Sequence, residues 1–279
     1  MIIHSDWHMH SEASYDSVLP LQEIADAAEQ YGFVKVGITD HFNDNSKSFL
    51  ADIHKSAEIV KEFRKTHPNV VLGVELLPQP QPDFDHLKIH GSFEGFVPVI
   101  SDEPYGMTFP MTKEELKALG VRYVVAASHW RADTCQHDPK NPIVSEWINE
   151  WHRQQMWMAC EERVTILGHP WFSGKRLWYE DFSVIPHSMH DELGAALKEN
   201  GKFIECNAHF FIDHGTGEKF RHQYAEFLRE MFEKGIPITY GSDCHNKYNV
   251  DPVAAVEPYL QAVGFTDGDF VELTEKDLW

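Results

Sequence analysis

The residues best suited to chemistry in this chain of 279 open it: Asp6-Trp7-His8-Met9-His10, followed closely by Ser14 and Asp16. On an extended strand alternate side chains point the same way. If Ile2 to His8 run as a strand, Asp6, His8 and His10 project together from its C-terminal end. Two imidazoles two residues apart on such a backbone can chelate one cation, each through one ring nitrogen. An isolated His-x-His in a chain with 18 histidines carries little by itself. Its meaning depends on what the later strands bring to the same end.

Hydrophobic periodicity supplies those strands. Leu21 to Tyr31 has the spacing of an amphipathic helix, with Gly32 as its stop. Phe33 to Thr39 is a short β-branched run ending in Asp40-His41. Lys47 to Thr66 is helical, and Val70 to Val74 is a third strand ending in Glu75. Thr112, with Glu115 three residues on, caps a short helix to Leu119. Strand four, Val121 to Ala127, ends in Ser128-His129. After a helix over Pro142 to Glu162, strand five, Val164 to Leu167, ends in Gly168-His169. A helix over Asp191 to Asn200 precedes strand six, Phe203 to Cys206, which carries Glu205 and leads to Asn207. Phe220 to Lys234 is helical, and strand seven, Pro237 to Tyr240, leads into Asp243-Cys244-His245. A last helix covers Pro252 to Val263, before a polar tail.

Alternation of strand and helix implies right-handed crossovers and a parallel sheet. Seven such units would close as a barrel, and catalytic groups of such barrels gather at the C-terminal ends of the strands. Each of the seven strand ends here carries a carboxylate or an imidazole, and none a thiolate. Neutral imidazoles with bridging carboxylates suit zinc, manganese or iron better than calcium or magnesium, which prefer oxygen cages. So many donors exceed the needs of one ion, so two or three divalent ions are expected.

The stretch from Leu77 to Met111 breaks the alternation. Its Pro78-Gln79-Pro80-Gln81-Pro82 is expected to be extended or polyproline-like and not helical, with a small hairpin around Gly91 and Gly95 and Phe96 to Ile100 as one arm. The chain therefore reads as one domain, residues 1–279, with an insertion at about 78–111 after strand three. Because it leaves from a strand's C-terminal end, it would form a lid or specificity wall.

Composition narrows the partners. Forty-four acidic against 24 basic residues give a formal charge of −20. No basic stripe interrupts that field, which argues against long nucleic acids and anionic membranes. Cys135, Cys160, Cys206 and Cys244 form no Cys-x-x-Cys pair, and so neither a disulfide framework nor a zinc ribbon. With the first strand starting at Ile2 and no apolar run of membrane-spanning length, a cytoplasmic protein in a reducing compartment is expected.

The set DxHxH, TDH, GxE, SH, GHP and GSDxH, taken in order from Asp6 to His245, resembles the polymerase-and-histidinol-phosphatase (PHP) family. The opening HMHSEASYDS and the ITDH motif look most like its stand-alone histidinol-phosphatase branch. The resemblance implies an α/β fold, a distorted (β/α)7 barrel with a trinuclear metal site at the strand C-termini. It implies a first ion on His8, His10, Glu75 and Asp243, a second sharing Glu75 and adding His129 and His169, and a third on Asp16, His41 and His245. Asp16 lies on a loop, where a Ser-x-Asp serves equally well as a helix-opening turn. Asp6 and Asp40 would accept from ligand imidazoles and orient them.

The activity implied is hydrolysis of a small organic phosphomonoester by a hydroxide held between the ions. Asp243, His245 or a water they hold would supply the leaving group's proton. Arg131 and Arg176 are candidates to bind or polarise the phosphate, each with an alternative as an ordinary surface arginine, and Asn207 is a further substrate-binding candidate. Trp130 and Trp171 follow ligand positions and would either wall the mouth or pack between loops. His54, His67, His137, His152, His187, His190, His214 and His222 are expected to be solvated or capping, while His209 could still face the pocket. Rival activities are nucleotide phosphodiester cleavage and, further off, amidohydrolase-type C–N hydrolysis. The non-enzymatic alternative is a barrel merely braced by its metal.

Overall fold

The computed structural model describes residues 3–97, 105–129, 143–246 and 253–279. Its elements in chain order are β1 (Ser5–Met9), α1 (Leu21–Tyr31), β2 (Lys35–Ile38), β3 (His41–Phe42), α2 (Lys47–Phe63), β4 (Val70–Leu72), β5 (Val74–Leu76), β6 (Gln79–Pro80), α3 (Gln81–His90), β7 (Met107–Thr108) and α4 (Lys113–Ala118). They continue with β8 (Val124–Ala126), α5 (Val144–Cys160), β9 (Ile166–Leu167), α6 (His187–Glu199), β10 (Phe203–Asn207), α7 (His209–Ile212), α8 (Glu218–Glu233), β11 (Ile238–Gly241) and α9 (Val253–Ala262). This is an α/β fold whose two main sheets are wholly parallel, in the orders β1-β2-β4 and β11-β10-β9-β8-β5-β3.

Short breaks separate the two sheets. Thr39 and Asp40 part β2 from β3, and Gly73 parts β4 from β5. The backbone still crosses the breaks: Thr39 N donates to Met9 O (2.8 Å), Gly73 N to Ile38 O (2.8 Å) and Glu75 N to Asp40 O (3.3 Å). At the far edge Asp243 N donates to His8 O (2.8 Å) and His10 N to Cys244 O (2.9 Å), so β1 meets the chain leaving β11.

Two apolar clusters hold these layers. The larger lies between strands and helices, with Ile24, Val36, Ile53, Val60, Leu193, Leu228 and Leu260 fully enclosed. Burying each such side chain contributes roughly 1.5–3 kcal/mol. The smaller joins Trp7, Val71, Tyr123, Val125 and Ile166 from four strands, with Leu273 from the C-terminal segment. Tyr123 lies just before β8, yet its hydroxyl donates to Trp7 O on β1 (2.7 Å). Glycine makes that reach possible: a Cβ at Gly37 would fall 1.8 Å from the Tyr123 hydroxyl, and one at Gly73 2.5 Å from its ring. The last residues are therefore more than a polar tail. Val271 N donates to Ile238 O (2.9 Å) and Trp279 N to Arg122 O (2.8 Å), which ties them to the sheet.

The insertion departs from expectation. Its proline run does not stay extended but starts a helix, α3. Pro80 caps it and Pro82 lies in the first turn, where the missing N–H would have no partner in any case. Gly91, at φ 71°, ends that helix in the left-handed conformation instead of turning a hairpin. The pairing is between the insertion's ends, with β6 antiparallel to β7. Of the proposed arm Phe96 to Ile100, residues 98–100 lie outside the described residues. The expected box at α4 is present in full, with Thr112 Oγ1 accepting from Glu115 N (3.3 Å) and Thr112 N donating to Glu115 Oε2 (2.8 Å). Among the described residues no helix is long and apolar enough to cross a membrane.

His190 is a second correction: it is neither solvated nor capping. α6 begins at His187, four residues earlier than expected, so His190 joins Leu193 and Leu197 on the buried face. Its ring lies against Phe227 (4.7 Å between centroids), Phe182 (5.4 Å) and Trp171 (5.8 Å), and Nε2 has no hydrogen-bond partner. Burial pushes its pKa down from 6.5 to about 4; the nearby charges of Glu230, His187, Lys234 and Asp191 partly offset one another. The unfolded chain then takes this proton first as pH falls. The stability His190 contributes is present above about pH 6.5 and is lost progressively towards pH 4. Urea unfolding of the wild type should lose about 2 kcal/mol from this group between pH 7 and pH 5, a slope that His190→Phe should lack. Equal slopes for the two proteins would refute this account.

Candidate metal centre

Glu75 stands inside β5 rather than beyond the third strand's end, in register with His41 of β3 and Val125 of β8. It is wholly buried. Five imidazoles surround its carboxylate: His41 Nδ1 at 2.7 Å, His169 Nε2 at 2.9 Å, His129 Nε2 at 3.3 Å, His8 Nε2 at 3.4 Å and His10 Nε2 at 3.5 Å. They come from β1 and the segment after it, from β3, and from the residues just beyond β8 and β9. Parallel strands put these ends on one side of the sheet, which is why residues so distant in sequence converge.

The remaining donors close around this centre. Asp243 Oδ1 lies 3.2 Å from His10 Nε2 and 3.6 Å from His8 Nε2, and the two imidazole nitrogens are themselves 3.1 Å apart. His129 and His169 face each other in the same way, Nε2 to Nε2 at 3.1 Å. Asp16 Oδ2 lies 3.2 Å from His41 Nε2 and 3.5 Å from His245 Nε2. Its loop is held in place: Ser14 Oγ donates to Asp16 Oδ1 (2.9 Å), and Ser17 Oγ to the carbonyls of His10 (2.9 Å) and His245 (3.0 Å). All nine candidate ligands, His8, His10, Asp16, His41, Glu75, His129, His169, Asp243 and His245, therefore lie in one cluster. Three overlapping groups in it have donor atoms within 4.8 Å of one another.

This donor set fits small divalent cations. A tetrahedral ion with 2.0–2.1 Å bonds to nitrogen holds its donors roughly 3.3 Å apart, the spacing seen here. Tautomers agree: His8 Nδ1 is 2.7 Å from Glu205 Oε1 and His245 Nδ1 is 2.9 Å from Asp243 O, acceptors that fix the proton on Nδ1 and leave Nε2 a lone pair facing inward. Glu75 Oε2 is buried with no hydrogen-bond donor of its own, a costly state unless positive charge lies beside it. A separate surface trio, His187, Asp191 and Glu230, has a different explanation. Lys234 Nζ already bonds both Asp191 and Glu230.

Electrostatics within the protein follow the same demand for cations. Burial would raise the pKa of Glu75, but His41, His129 and His8 outweigh it and hold the carboxylate well below its ordinary range. Burial would lower His41, but Glu75 and then Asp16 pull it up to about 10. His10 is pushed down to about 3 by burial and by its neighbours His41 and His245. Burial raises Asp6 to about 7 against the hydrogen bonds from Ser242 and His8.

Several roles differ from expectation. Asp6 and Asp40 orient no imidazole. Asp6 Oδ1 accepts from His8 N (3.1 Å) and Ser242 N (3.0 Å), and so ties β1 to the chain leaving β11. Asp40 accepts from Ser11 N (2.6 Å), Ser11 Oγ (2.7 Å) and Ser56 Oγ (2.6 Å), and so anchors the loop after β1. The imidazole-orienting carboxylate is Glu205, which also accepts from His169 N (2.5 Å). Its one sequence signal is Glu205-x-Asn207 on β10, the same two-residue step as His8-x-His10.

Asn207, expected to bind substrate, spends its amide inside the site. Nδ2 donates to Glu205 Oε2 (3.1 Å) and Asp243 Oδ2 (3.2 Å), and Oδ1 accepts from His209 N (2.8 Å). Arg176 is exposed and paired with both oxygens of Asp213 (2.9 Å each). Trp171 is buried packing, with its backbone N–H on Gln155 Oε1 and its carbonyl accepting from Trp178 Nε1. Arg131 and Trp130 lie outside the described residues. Two aromatic neighbours carried no signal: Tyr15 beside His41 (5.5 Å between ring centroids) and Phe172 beside His169 (5.0 Å).

Comparison with known proteins gives the family and the fold. Residues 6–209 match the PHP domain family. The probable phosphatase of Acetivibrio thermocellus is 27% identical over 260 residues, covering 92% of this chain and 86% of its own. The crystal structure of histidinol phosphate phosphatase from Lactococcus lactis, complexed with zinc, L-histidinol and phosphate, shares the fold. Its TM-score is 0.64 at 16% identity, covering 99% of this chain and 98% of that one.

Glycine lets the layer behind the ligands approach. A Cβ at Gly241 would lie 1.9 Å from Glu205 Oε1 and 2.6 Å from His8 Cβ. Gly241→Ala should therefore push Glu205 off His8 and cost about 1–3 kcal/mol, as overpacking does. A melting temperature unchanged from wild type would contradict the packing described.

Proposed function

The chain belongs to the PHP family and is an enzyme of its metal-dependent phosphatase type, and on that premise we propose that it hydrolyses a small organic phosphomonoester at the Glu75 cluster. The observation that carries this reading is the buried Glu75 carboxylate with five imidazole nitrogens within 3.5 Å. His8, His10, Glu75 and Asp243 would hold one divalent ion. Glu75, His129 and His169 would hold a second, and Asp16, His41 and His245 a third. Zinc, manganese or iron suits such mixed nitrogen and oxygen donors. Bound there, the ions supply Lewis acidity, lowering the pKa of a coordinated water and offsetting charge that builds at phosphorus.

The chain's own residues do the rest. Glu205 and Asn207 keep His8 and Asp243 in place, so the donors need no reorganisation when substrate arrives. Asp16, His129, Asp243 and His245 are the partly exposed members of the cluster, at 32, 20, 14 and 25%, and define the side from which substrate enters. Asp243 and His245, or a water they hold, deliver the leaving oxygen's proton. Arg131 remains the proposed cation for the phosphate. Arg176 can share that role only by leaving Asp213.

Hydrogen bonds across both sheet breaks, and the Tyr123 reach to Trp7, support reading the strands as a closed, distorted (β/α)7 barrel in a single domain. The insertion at 78–111 then becomes a lid or specificity wall over its mouth. The Lactococcus lactis complex makes histidinol phosphate the first candidate substrate, and an acidic protein is a poor host for long nucleic acids.

Metal analysis of the purified protein, followed by a phosphate-release screen over amino-alcohol, sugar and nucleotide phosphates, tests the proposal. Turnover should vanish with chelator and with His8→Ala. Glu205→Ala should weaken metal affinity by about 10–100-fold, since it removes the acceptor behind His8 and His169 and leaves every proposed ligand in place. Full metal load with no hydrolysis of any phosphomonoester would sink the reading.

A further inference from the structure

Outside the Glu75 cluster, a cavity of about 500 Å³ opens between α3, the start of α2 and the segment joining β7 to α4. Its volume is in the range of small-ligand sites. Leu50, Phe84, Leu87 and Phe109 give it an apolar floor, and Lys47 and Lys88 stand on its lining.

The charges on that lining are not equivalent. Arg163 is committed: its guanidinium bonds both oxygens of Glu161 (2.7 and 3.0 Å) and Met111 O (3.0 Å), and it lies 5.0 Å over the Phe109 ring. The lining's one acid, Glu115, is held in the Thr112 capping box. Neither Lys47 Nζ nor Lys88 Nζ has an ion pair or hydrogen bond among the described residues. Lys88 rests 5.8 Å from the Phe84 ring centroid. Lys47 is steered by Gly91: its backbone N–H donates to Gly91 O (3.0 Å), and a Cβ at Gly91 would fall 2.7 Å from Lys47 Cε. Glycine at the end of α3 thus lets the Lys47 stem lie across that end, on the cavity that Lys88 also lines.

In a chain of net charge −20, two ammoniums without an ion pair or hydrogen bond among the described residues stand over an apolar floor, with Glu115, which Lys88 reaches electrostatically, as the lining's single carboxylate. We propose that this cavity is a second ligand site, for an organic anion whose phosphate or phosphonate head meets Lys47 and Lys88 while its apolar body lies on Phe84, Leu87 and Phe109.

Octylphosphonate has the required head and body and no phosphoester bond to cleave. Titrated calorimetrically into the metal-loaded protein, it should show a saturable binding event that survives His8→Ala. In the Lys47→Ala/Lys88→Ala variant that event should weaken at least about tenfold, while the bound metal content stays that of wild type. Lys47→Gln/Lys88→Gln, which keeps the stems, should behave the same way and covers a loss of folding in the alanine variant. No binding to wild type, equal binding to the lysine variants, binding lost with His8→Ala, or equal affinity for octylammonium would each overturn the proposal.

Discussion

The constraint from which the rest of the structure follows is the desolvated charge of Glu75. A carboxylate removed entirely from water, with one oxygen bonded to His169 Nε2 and the other without a hydrogen bond, is tolerated only beside positive charge, since the effective penalty is several kcal/mol per ion. Among the described residues no arginine or lysine is paired with it. The chain surrounds it instead with imidazoles, which can carry a proton or hand a lone pair to a metal. Apart from His8 and His10, which share β1 and its end, the members of that ring come from different strands, because a strand offers only one or two positions at one height. A parallel sheet with its strand ends aligned is the arrangement that meets this need.

Holding so many nitrogens at 2.7–3.6 Å needs a rigid backing, and the strain falls on two of the candidate ligands themselves. His169 and Asp243 sit at φ 22° and 56°, a region non-glycine residues seldom occupy. Each is pinned by a backbone N–H: His169 to Glu205 Oε2, and Asp243 to His8 O. Glu205 is thus shared by two walls of the site, through His8 and His169, and Asn207 ties it to a third through Asp243. Strain held by such over-determined contacts is characteristic of sites whose donors must stay in place.

How much of this was legible in the sequence depended on whether a role rests on residue type or on a crossing in space. His8, His10, His41, His129, His169 and His245 could be read as donors because strand ends share one side and imidazole is a ligand wherever it stands. Glu205 as the partner of His8 could not, because the two lie 197 residues apart and meet only through the sheet order. Asp40 reads as an acceptor for a ligand imidazole, but the serines that claim it, Ser11 and Ser56, have no local pattern. The insertion misled for a different reason. Proline excludes the helix interior but suits the first turn, so Pro80 and Pro82 open α3. His190 was misjudged through a boundary: with the helix begun at His187, its step of three to Leu193 is an ordinary buried-face spacing.

The acidity of the chain sets a last condition on how the site can work. A phosphomonoester approaches as an anion, and Asp16, Glu75, Glu205 and Asp243 all lie in or directly behind the cluster. With its imidazoles neutral, that cluster would repel the substrate it is proposed to cleave, and beyond about 8 Å physiological salt would do little more than screen the repulsion. Divalent ions on these donors would reverse the local sign before any bond is made or broken. Metal loading would therefore govern substrate capture as well as chemistry. The cavity carrying Lys47 and Lys88 meets the same problem by the opposite means. There no carboxylate is buried, neither ammonium has an ion pair or hydrogen bond among the described residues, and an anion can be held without a metal.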